Sequence, residues 1–409
     1  MTFILNTINR ERLMELIDGR KIIVMPMRIL VITNPIEPPS YAPRVMTMCH
    51  YLQEAGHDVV LESGELTRRS RLQWIGDKLW GQDDRTFGKR LLRKYSRERF
   101  DVILCSTYYY FPLRTAEQLS KAWGIPFVVD FRDIVEQWGT KPYFTTKLPH
   151  LLGLENVFAR WYERKNISMR NRMMDRAKAV TTVSPWHQQY LQSLTDTPVH
   201  LIYNGYDEEE IGFEKRETTT FSIAYIGRIM SLTLRQPQML FEAVGDMIKD
   251  GEIADGQWRM DYYAEAEKEA EVRELARMYG IATSIKWHKF VSRSELNGIM
   301  AESSVLLVLG CPPEARQHGI LGTKVYEAIG VEKPLLLVPS DEDSLAELIR
   351  ETGIGIAARD KEEVKTFLRQ KYQEWKQKGY TRQSIADKER FSRKREAYQM
   401  GEILTKYDS

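Results

Sequence analysis

Two consecutive series of short apolar runs, separated by helical patterns, constrain the fold of this chain most. The first series begins with MRILVITN at 27–34 and the second with FSIAYIG at 221–227. Runs of this length, rich in Val, Ile and Leu, are typical of buried parallel strands. The later runs are HDVVLES, FDVILCS, PFVVDFR, AVTTVS and VHLIYN in the first series, and WRMDYYA, SIKWHKFV, SVLLVLG, PLLLVP and GIGIAA in the second. This order predicts an α/β chain with two doubly wound sheets.

Domain boundaries follow from the turn dipeptide Asn204-Gly205 and the acidic segment after it. The sequence predicts an N-terminal extension over 1–26, a first domain over 27–205 and a second domain over 206–385. A C-terminal helix over 386–409 is predicted to pack back on the first domain. Ligands of doubly wound sheets bind outside the carboxyl ends of the strands, so we expect a site in a cleft between the domains.

The composition excludes several classes of protein. The 409 residues include 59 basic and 57 acidic side chains, and this balance argues against a nucleic-acid partner. Cys49, Cys105 and Cys311 are odd in number and far apart, so neither a disulfide framework nor a cysteine zinc site is expected, and a cytoplasmic location fits. The seven histidines form no HExxH or HxH motif, so no metal site is predicted. No apolar run reaches the roughly 20 residues that span a bilayer.

The segment GILGTKVYEAIGVEKPLLLVP at 319–339 is the strongest functional signal. A loop precedes a short predicted helix, which places Thr323 and Lys324 at the helix N terminus. Backbone N–H groups there favour an anion such as a diphosphate, and Lys324 adds a positive charge. Glu327 lies one turn deeper on the same face, where a carboxylate suits the two hydroxyls of a ribose. The alternative is a plain helix start with a surface Lys–Glu pair. Since the chain has no P-loop, dinucleotide fingerprint or nucleophile elbow, sugar nucleotides are the natural ligand class.

Several individually weak motifs occur in a fixed order along the chain. They include MRILVITN with its following loop and helix, PFVVDFRD, AVTTVS, LIYNGYDEEE, FSIAYIGR and GTKVYEAIGVEKPLL. In this order, from Met27 over nearly the whole chain, they resemble the retaining GT-B glycosyltransferases of family four. The resemblance implies the GT-B fold, in which two Rossmann-like doubly wound domains face each other across a cleft.

The resemblance also implies which residues of the second domain bind a donor. These are Arg228, Arg235, Thr323 and Lys324 for the diphosphate, Glu327 for the ribose, Gly319, Ile320, Leu321 and Gly322 for the donor sugar, and Phe290 and Val291 for the base. Arg235 is the nearest substitute for a lysine that the family usually has. Gly319 stands where the family has a second glutamate, which contacts the donor sugar.

In the first domain the resemblance points to two segments. Tyr41, Ala42 and Arg44 belong to the loop that approaches the donor diphosphate in relatives. Arg132 and Asp133 end a predicted strand and are candidate catalytic residues that would face the cleft. The alternative for this second pair is an Arg–Asp contact that only stabilises the fold.

The stretch 66–99 combines many arginines and lysines with Trp74 and Trp80. One interpretation is a solvated helical face. The other is a basic amphipathic surface that contacts anionic lipid or a phosphorylated acceptor. The second interpretation implies a peripheral position on the inner face of the membrane.

The resemblance implies a retaining transferase that moves a sugar from a UDP- or GDP-sugar to a glycan or lipid-linked acceptor, in bacterial surface polysaccharide biosynthesis. No metal would be required, because arginine, lysine and a helix N terminus stabilise the leaving nucleoside diphosphate electrostatically. Two alternatives stay open. One is a non-catalytic GT-B-like binding or scaffold protein, favoured by the missing glutamate and lysine. The other is a sugar-nucleotide epimerase of the same fold.

Overall fold

The computed structural model describes residues 13–17, 20–24, 26–36, 43–65, 81–138, 155–229, 231–232, 234–254 and 256–407. These residues divide into two compact units. The first unit holds the described residues as far as Gln137, those from 155 to Tyr203 and those from Arg393 onward. The second unit holds Asn204–Ser392 together with Trp138.

Strands and helices alternate along most of the described chain. The strands are β1 Leu13–Ile17, β2 Arg20–Val24, β3 Arg28–Thr33, β4 Asp58–Ser63, β5 Val102–Thr107, β6 Phe127–Phe131, β7 Ala179–Thr182, β8 Val199–Leu201, β9 Phe221–Ile226, β10 Trp258–Tyr263, β11 Ile285–His288, β12 Val305–Leu309, β13 Leu335–Val338 and β14 Gly355–Ala357. The helices are α1 Pro43–Glu54, α2 Gln82–Lys94, α3 Leu113–Trp123, α4 Glu155–Met174, α5 Pro185–Gln192, α6 Gln238–Lys249, α7 Glu269–Met278, α8 Arg293–Glu302, α9 Thr323–Val331, α10 Ser344–Thr352, α11 Lys361–Lys378 and α12 Arg393–Lys406.

The first unit is built on a parallel six-stranded sheet in the order β4-β3-β5-β6-β7-β8. Side chains of β3 point alternately to its two faces, where Leu30 and Ile32 pack with α2, α3, α4 and α5. Ile29 and Val31 pack on the other face with α1 and α12. The chain passes from one side of β3 to the other, so the strand order reverses between β3 and β5.

The second unit contains another parallel six-stranded sheet, in the order β11-β10-β9-β12-β13-β14. Buried side chains of α6, α7 and α11 pack on one face of it. Here the strand order reverses between β9 and β12. The two doubly wound sheets predicted from the apolar runs are therefore confirmed.

Two segments differ from the sequence-based expectations. The predicted extension contains an antiparallel hairpin, because β1 pairs with β2 from Leu13↔Val24 to Ile17↔Arg20. The many aromatic and charged residues over 134–178 predict a long helical insertion, but this stretch begins with a 3-10 turn at Val135–Trp138, and α4 starts only at Glu155. The part between them, 139–154, lies outside the described residues. Within the described part of the chain, no helix combines the length and the apolar character that crossing a bilayer demands.

Candidate functional site

A pocket of about 240 Å³ lies at the carboxyl edge of the second sheet. Its walls come from the ends of β9 and β12, the first turn of α9 and the segment after β13. The gap between β9 and β12 is the point where the strand order reverses. Loops diverge at such a switch point, so the fold itself opens a binding crevice there.

The N terminus of α9 opens into this pocket. Its N-cap residue is Gly322, which is extended and has no side chain to accept the first N–H groups of the helix. Gly322, Thr323, Lys324 and Val325 all line the pocket. The uncapped N–H groups and the helix dipole therefore favour a negatively charged ligand at this wall.

Two arginines line the same pocket as Lys324. Arg228 follows Gly227, whose φ of 154° is a conformation that essentially only glycine adopts. The loop is held by the Tyr225 hydroxyl, which donates to the Arg228 carbonyl at 2.8 Å, and by the Ile229 N–H, which donates to the Glu265 carboxylate at 3.0 Å. These two hydrogen bonds fix the backbone from which the exposed Arg228 side chain extends.

Arg235 is anchored at the end of β12, because its Nη1 donates to the carbonyl of Leu309, the last residue of that strand. Burial raises the pKa of the nearby Tyr225 hydroxyl to about 12, and the positive charge of Arg235 opposes that rise. The structure thus brings together Arg228, Arg235 and Lys324, three cations that the sequence had assigned to one diphosphate.

Glu327 lies one turn below the pocket wall. Lys324 Nζ donates to Glu327 Oε2 at 2.5 Å, and 12% of the Glu327 side chain is exposed. Lys324 lines the pocket, whereas Glu327 is not among its lining residues. The Lys–Glu pair expected for a plain helix start therefore exists, and it joins the pocket wall to a buried carboxylate.

The loop before α9 is divided between the pocket and the interior. Ile320 and Gly322 line the pocket, whereas Gly319 and Leu321 are buried beside it. Gly319 has a φ of 67°, and its N–H donates to Asp343 Oδ1 at 3.1 Å. Asp343 Oδ2 lies 2.8 Å from His318 Nδ1, so a single carboxylate fixes the start of the loop.

The sequence-based reasoning missed Asp341, Asp343 and Cys311, which also line the pocket. Cys311 follows the run SVLLVLG, and the two aspartates follow PLLLVP after a single serine. Polar residues just after two neighbouring parallel strands meet at the same sheet edge. The sequence shows that these residues follow apolar runs, but it does not show that the two strands are neighbours.

Phe290 and Val291 follow β11, the edge strand of the second sheet. Phe290 is 54% exposed. Neither residue lines the pocket, so the structure does not bring the predicted base-binding residues and the phosphate-side cations into one cavity.

In the first unit, Arg132 and Asp133 directly follow β6. The buried Arg132 Nη2 donates to Thr33 Oγ1 at 3.4 Å and to Asn34 Oδ1 at 3.2 Å, and its guanidinium lies 3.7 Å from the centre of the Tyr108 ring. These partners stand at the ends of β3 and β5, the switch point of the first sheet.

Asp133 accepts a hydrogen bond from Gln137 Nε2 at 3.0 Å. Burial raises the pKa of Asp133 to about 6, against the smaller opposing effects of Gln137 and Arg132. A carboxyl with a displaced pKa at a strand end is a candidate functional group.

Arg44 differs in placement from the expectation of a loop residue. It lies in the first turn of α1, and its side chain is 7% exposed. Nη1 donates to the Tyr203 carbonyl at 2.7 Å and to Glu396 Oε2 at 3.0 Å, and Nη2 lies 3.5 Å from Asp130 Oδ1. Its guanidinium joins α1, the sheet and α12 inside the first unit. Tyr41 and Ala42 lie outside the described residues.

The basic stretch 66–99 is described only from residue 81 onward. In α2, Arg90 pairs with Glu65 and Lys94 pairs with Glu62. These pairs neutralise part of the positive charge, whereas the side chains of Arg85, Lys89 and Arg93 are exposed. The lipid-binding interpretation stays a prediction.

The family described as Glycosyltransferase Family 4 matches residues 43–210. This segment covers most of the first unit and its exit into the second. No curated protein sequence matches the chain.

Several solved structures are similar to this chain. Sucrose-phosphate synthase from Thermosynechococcus elongatus has a TM-score of 0.64 and 12% identity, covering 93% of this chain and 98% of its own. The Anabaena protein HepE, in complex with UDP and glucose, has a TM-score of 0.59 and 14% identity over 93% and 99%. Trehalose 6-phosphate synthase from Burkholderia multivorans has a TM-score of 0.58 and 11% identity over 93% and 99%. At these identities the likeness shows a shared fold.

Proposed function

Because residues 43–210 match the family described as Glycosyltransferase Family 4 and the chain shares its two-sheet fold with solved glycosyltransferase structures, we propose that it is a retaining glycosyltransferase of the GT-B type with a nucleoside-diphosphate sugar as donor. The donor diphosphate binds in the pocket between β9 and β12. One observation carries this assignment: Arg228, Arg235, Lys324 and the uncapped N terminus of α9 converge on a single cavity.

The same groups suit the chemistry of transfer. When the bond between the sugar and the diphosphate breaks, the terminal phosphate gains a negative charge. Fixed cations and backbone N–H groups that already face this position stabilise the charge without reorganising. The proposal therefore assigns to Arg228, Arg235 and Lys324 the role that a divalent cation has in other transferases. Glu327, oriented by Lys324, accepts hydrogen bonds from the ribose hydroxyls.

We also propose that the first unit binds the acceptor and supplies Asp133 as proton acceptor, with Arg132 as its neighbour at the sheet edge. A pKa of about 6 leaves Asp133 ionised at neutral pH and still basic enough to take a proton. The acceptor hydroxyl attacks the anomeric carbon on the face from which the nucleoside diphosphate departs, which retains the configuration, and Asp133 receives the proton of the hydroxyl.

The proposed setting is bacterial surface polysaccharide biosynthesis with a glycan or lipid-linked acceptor. A peripheral position on the cytoplasmic side of the membrane fits the exposed arginines of α2. Trp161 of α4, which is 48% exposed, and its exposed neighbours Arg160 and Arg164 are further candidate contacts of the first unit with the membrane. An apolar ring among arginines suits the boundary of an anionic membrane.

The test is isothermal titration of the purified protein with UDP, GDP and their hexose conjugates. One base should bind selectively. Arg228→Ala and Lys324→Ala should each weaken that nucleotide about tenfold to a hundredfold, the range for hydrogen bonds to charged groups. Arg369→Ala is the matched control, because Arg369 is an exposed arginine on α11 of the same unit, where it pairs with Glu252. Unchanged affinity in both pocket variants would remove the donor assignment.

Turnover then separates the enzyme classes. A transferase releases nucleoside diphosphate faster when an acceptor extract is added. An epimerase converts the donor sugar without an acceptor, and a scaffold protein binds the donor without consuming it. Wild-type turnover in Arg228→Ala, Lys324→Ala and Glu327→Gln would contradict the site even if transfer occurs.

A further inference from the structure

One carboxylate in the donor pocket has an oxygen that the chain itself leaves unused. Asp341 follows β13 and lines the pocket. Its Oδ1 accepts the N–H of Asp343 at 3.3 Å and the N–H of Ala346 at 3.0 Å. Its Oδ2 receives no hydrogen bond, and no lysine or arginine forms an ion pair with it, from any residue that the structure describes. Asp341 therefore has one oxygen that accepts backbone hydrogen bonds and one that is available to a ligand.

Asp341 lines the same pocket as the cation Arg235 and the thiol of Cys311. Burial raises the pKa of Cys311, Arg235 opposes that rise and Asp341 adds to it. Both charges therefore act on one side chain that lines the pocket. Burial also raises the pKa of Asp341, and the backbone hydrogen bonds that it accepts from Asp343 and Ala346 oppose only part of that rise. A ligand that donates hydrogen bonds to Oδ2 would offset this cost of burial.

The neighbouring carboxylate has no such capacity. Asp343 Oδ1 accepts N–H groups of Gly319 and Ser344, and Oδ2 is paired with His318. Gly319 occupies the position of the sugar-contacting glutamate in the resembling family. Its φ of 67° is left-handed, so a glutamate there would be strained. The loop before α9 therefore has no carboxylate at this position, and Asp341 is the pocket-lining carboxylate with an available oxygen.

We propose that Asp341 binds hydroxyl groups of the donor sugar through Oδ2 and selects a neutral sugar over a uronic acid. The assignment rests on the proposed function, because it places the sugar beside the diphosphate in the same pocket. Once the diphosphate occupies the three cations of the cavity, the remaining charges in its lining are Asp341 and Asp343, so the carboxylate of a uronic acid would meet like charge there. Sugar hydroxyls, by contrast, donate to the available oxygen.

Asp341→Asn tests this with little risk to the fold. Asparagine keeps an Oδ1 that accepts the two N–H groups of Asp343 and Ala346, and it replaces only Oδ2 by a donor. Glu342→Gln is the matched control, since it removes the same charge from the next residue, whose side chain is 45% exposed and pairs with Arg350. Glu342 does not line the pocket.

The measurement is the dissociation constant of UDP, UDP-glucose and UDP-glucuronate, with GDP and GDP-mannose as a second set, for each protein. In wild type the neutral conjugate should bind more tightly than the free diphosphate and more tightly than the uronate. Asp341→Asn should reduce that advantage about tenfold to a hundredfold and leave the free diphosphate unchanged or tighter. The preference over the uronate should shrink, and Glu342→Gln should change none of these ratios.

Two results would overturn the assignment. If Asp341→Asn leaves the ratio of conjugate to diphosphate affinity as in wild type, Asp341 only shapes the loop. If Glu342→Gln causes the same loss, the effect comes from net charge and not from Oδ2. A wild-type protein that binds no nucleotide at all would refute the donor site and, with it, the role of Asp341. If wild type binds nucleotide but the ratio of affinities does not respond to Asp341→Asn, only the role of Asp341 is refuted.

Discussion

Replacing Asp133 by asparagine should stabilise the protein at alkaline pH while lowering its activity. Burial raises the pKa of this carboxyl from 3.8 to about 6. A folded-state pKa above the unfolded value means that the native state binds the proton more tightly. The stability that comes from this tighter binding of the Asp133 proton is fully present below about pH 4 and is lost as the pH rises through about 6.

The magnitude follows from this displacement. A difference of about two pKa units corresponds to about 3 kcal/mol, by which ionised Asp133 destabilises the fold at pH 8 relative to its protonated form. Asparagine carries no charge and keeps the oxygen that accepts from Gln137. The variant should therefore gain up to about 3 kcal/mol over wild type at pH 8 and close to none at pH 4.

Urea denaturation at pH 4, 6 and 8, followed by tryptophan fluorescence, measures this difference. Asp84 is also buried and has its pKa raised to about 6, but it is present in both proteins and cancels in the comparison. Asp58→Asn is the control, because that carboxylate lies in the same unit with 64% of its side chain exposed. A stability difference that does not change with pH, or an equal one in Asp58→Asn, would refute the reasoning.

Three further predictions concern other parts of the structure. Arg44→Met should destabilise the first unit by about 3–5 kcal/mol in urea denaturation, because it leaves the buried Asp130 and Glu396 without their cation, and an unchanged midpoint would contradict that role. Gly310→Ala should lower the free energy of unfolding by about 1–3 kcal/mol and weaken nucleotide binding, because a Cβ there would lie 2.0 Å from the Pro339 carbonyl oxygen. The control is Gly322→Ala, whose Cβ would meet nothing within 4 Å, so its melting temperature should equal that of wild type. Turnover by wild type should rise with pH through about 6 as Asp133 ionises, and a flat profile would exclude Asp133 as the proton acceptor.

The sequence predicted the sheets well because their signal is local. Runs such as VILCST in β5 are buried at every position, which a continuous apolar run indicates directly. The hairpin of β1 and β2 was missed because charged residues interrupt LMELI and RKIIV, so neither strand shows a continuous apolar run.

The site was predictable where the residues belong to one short segment. Thr323 and Lys324 were placed correctly at a helix start because α9 has a clear N-terminal glycine. Asp341 was missed because its role depends on which strands are neighbours, and the adjacency of β12 and β13 is a property of the folded sheet. Arg44 was assigned to a loop because its buried partner Glu396 lies far along the chain, where no local pattern reveals it.

The central claim is that a nucleoside diphosphate binds between β9 and β12, and the alkylation rate of Cys311 tests it most directly. Cys311 lines the pocket and is half-buried, whereas Cys49 and Cys105 are buried, so iodoacetamide should react first at this thiol. With the nucleotide that binds in titration at ten times its Kd, the rate should fall to about a tenth. Arg228→Ala should need a higher nucleotide concentration for the same protection. Full alkylation of Cys311 in the presence of a nucleotide that calorimetry shows to be bound would place the donor elsewhere and contradict the account.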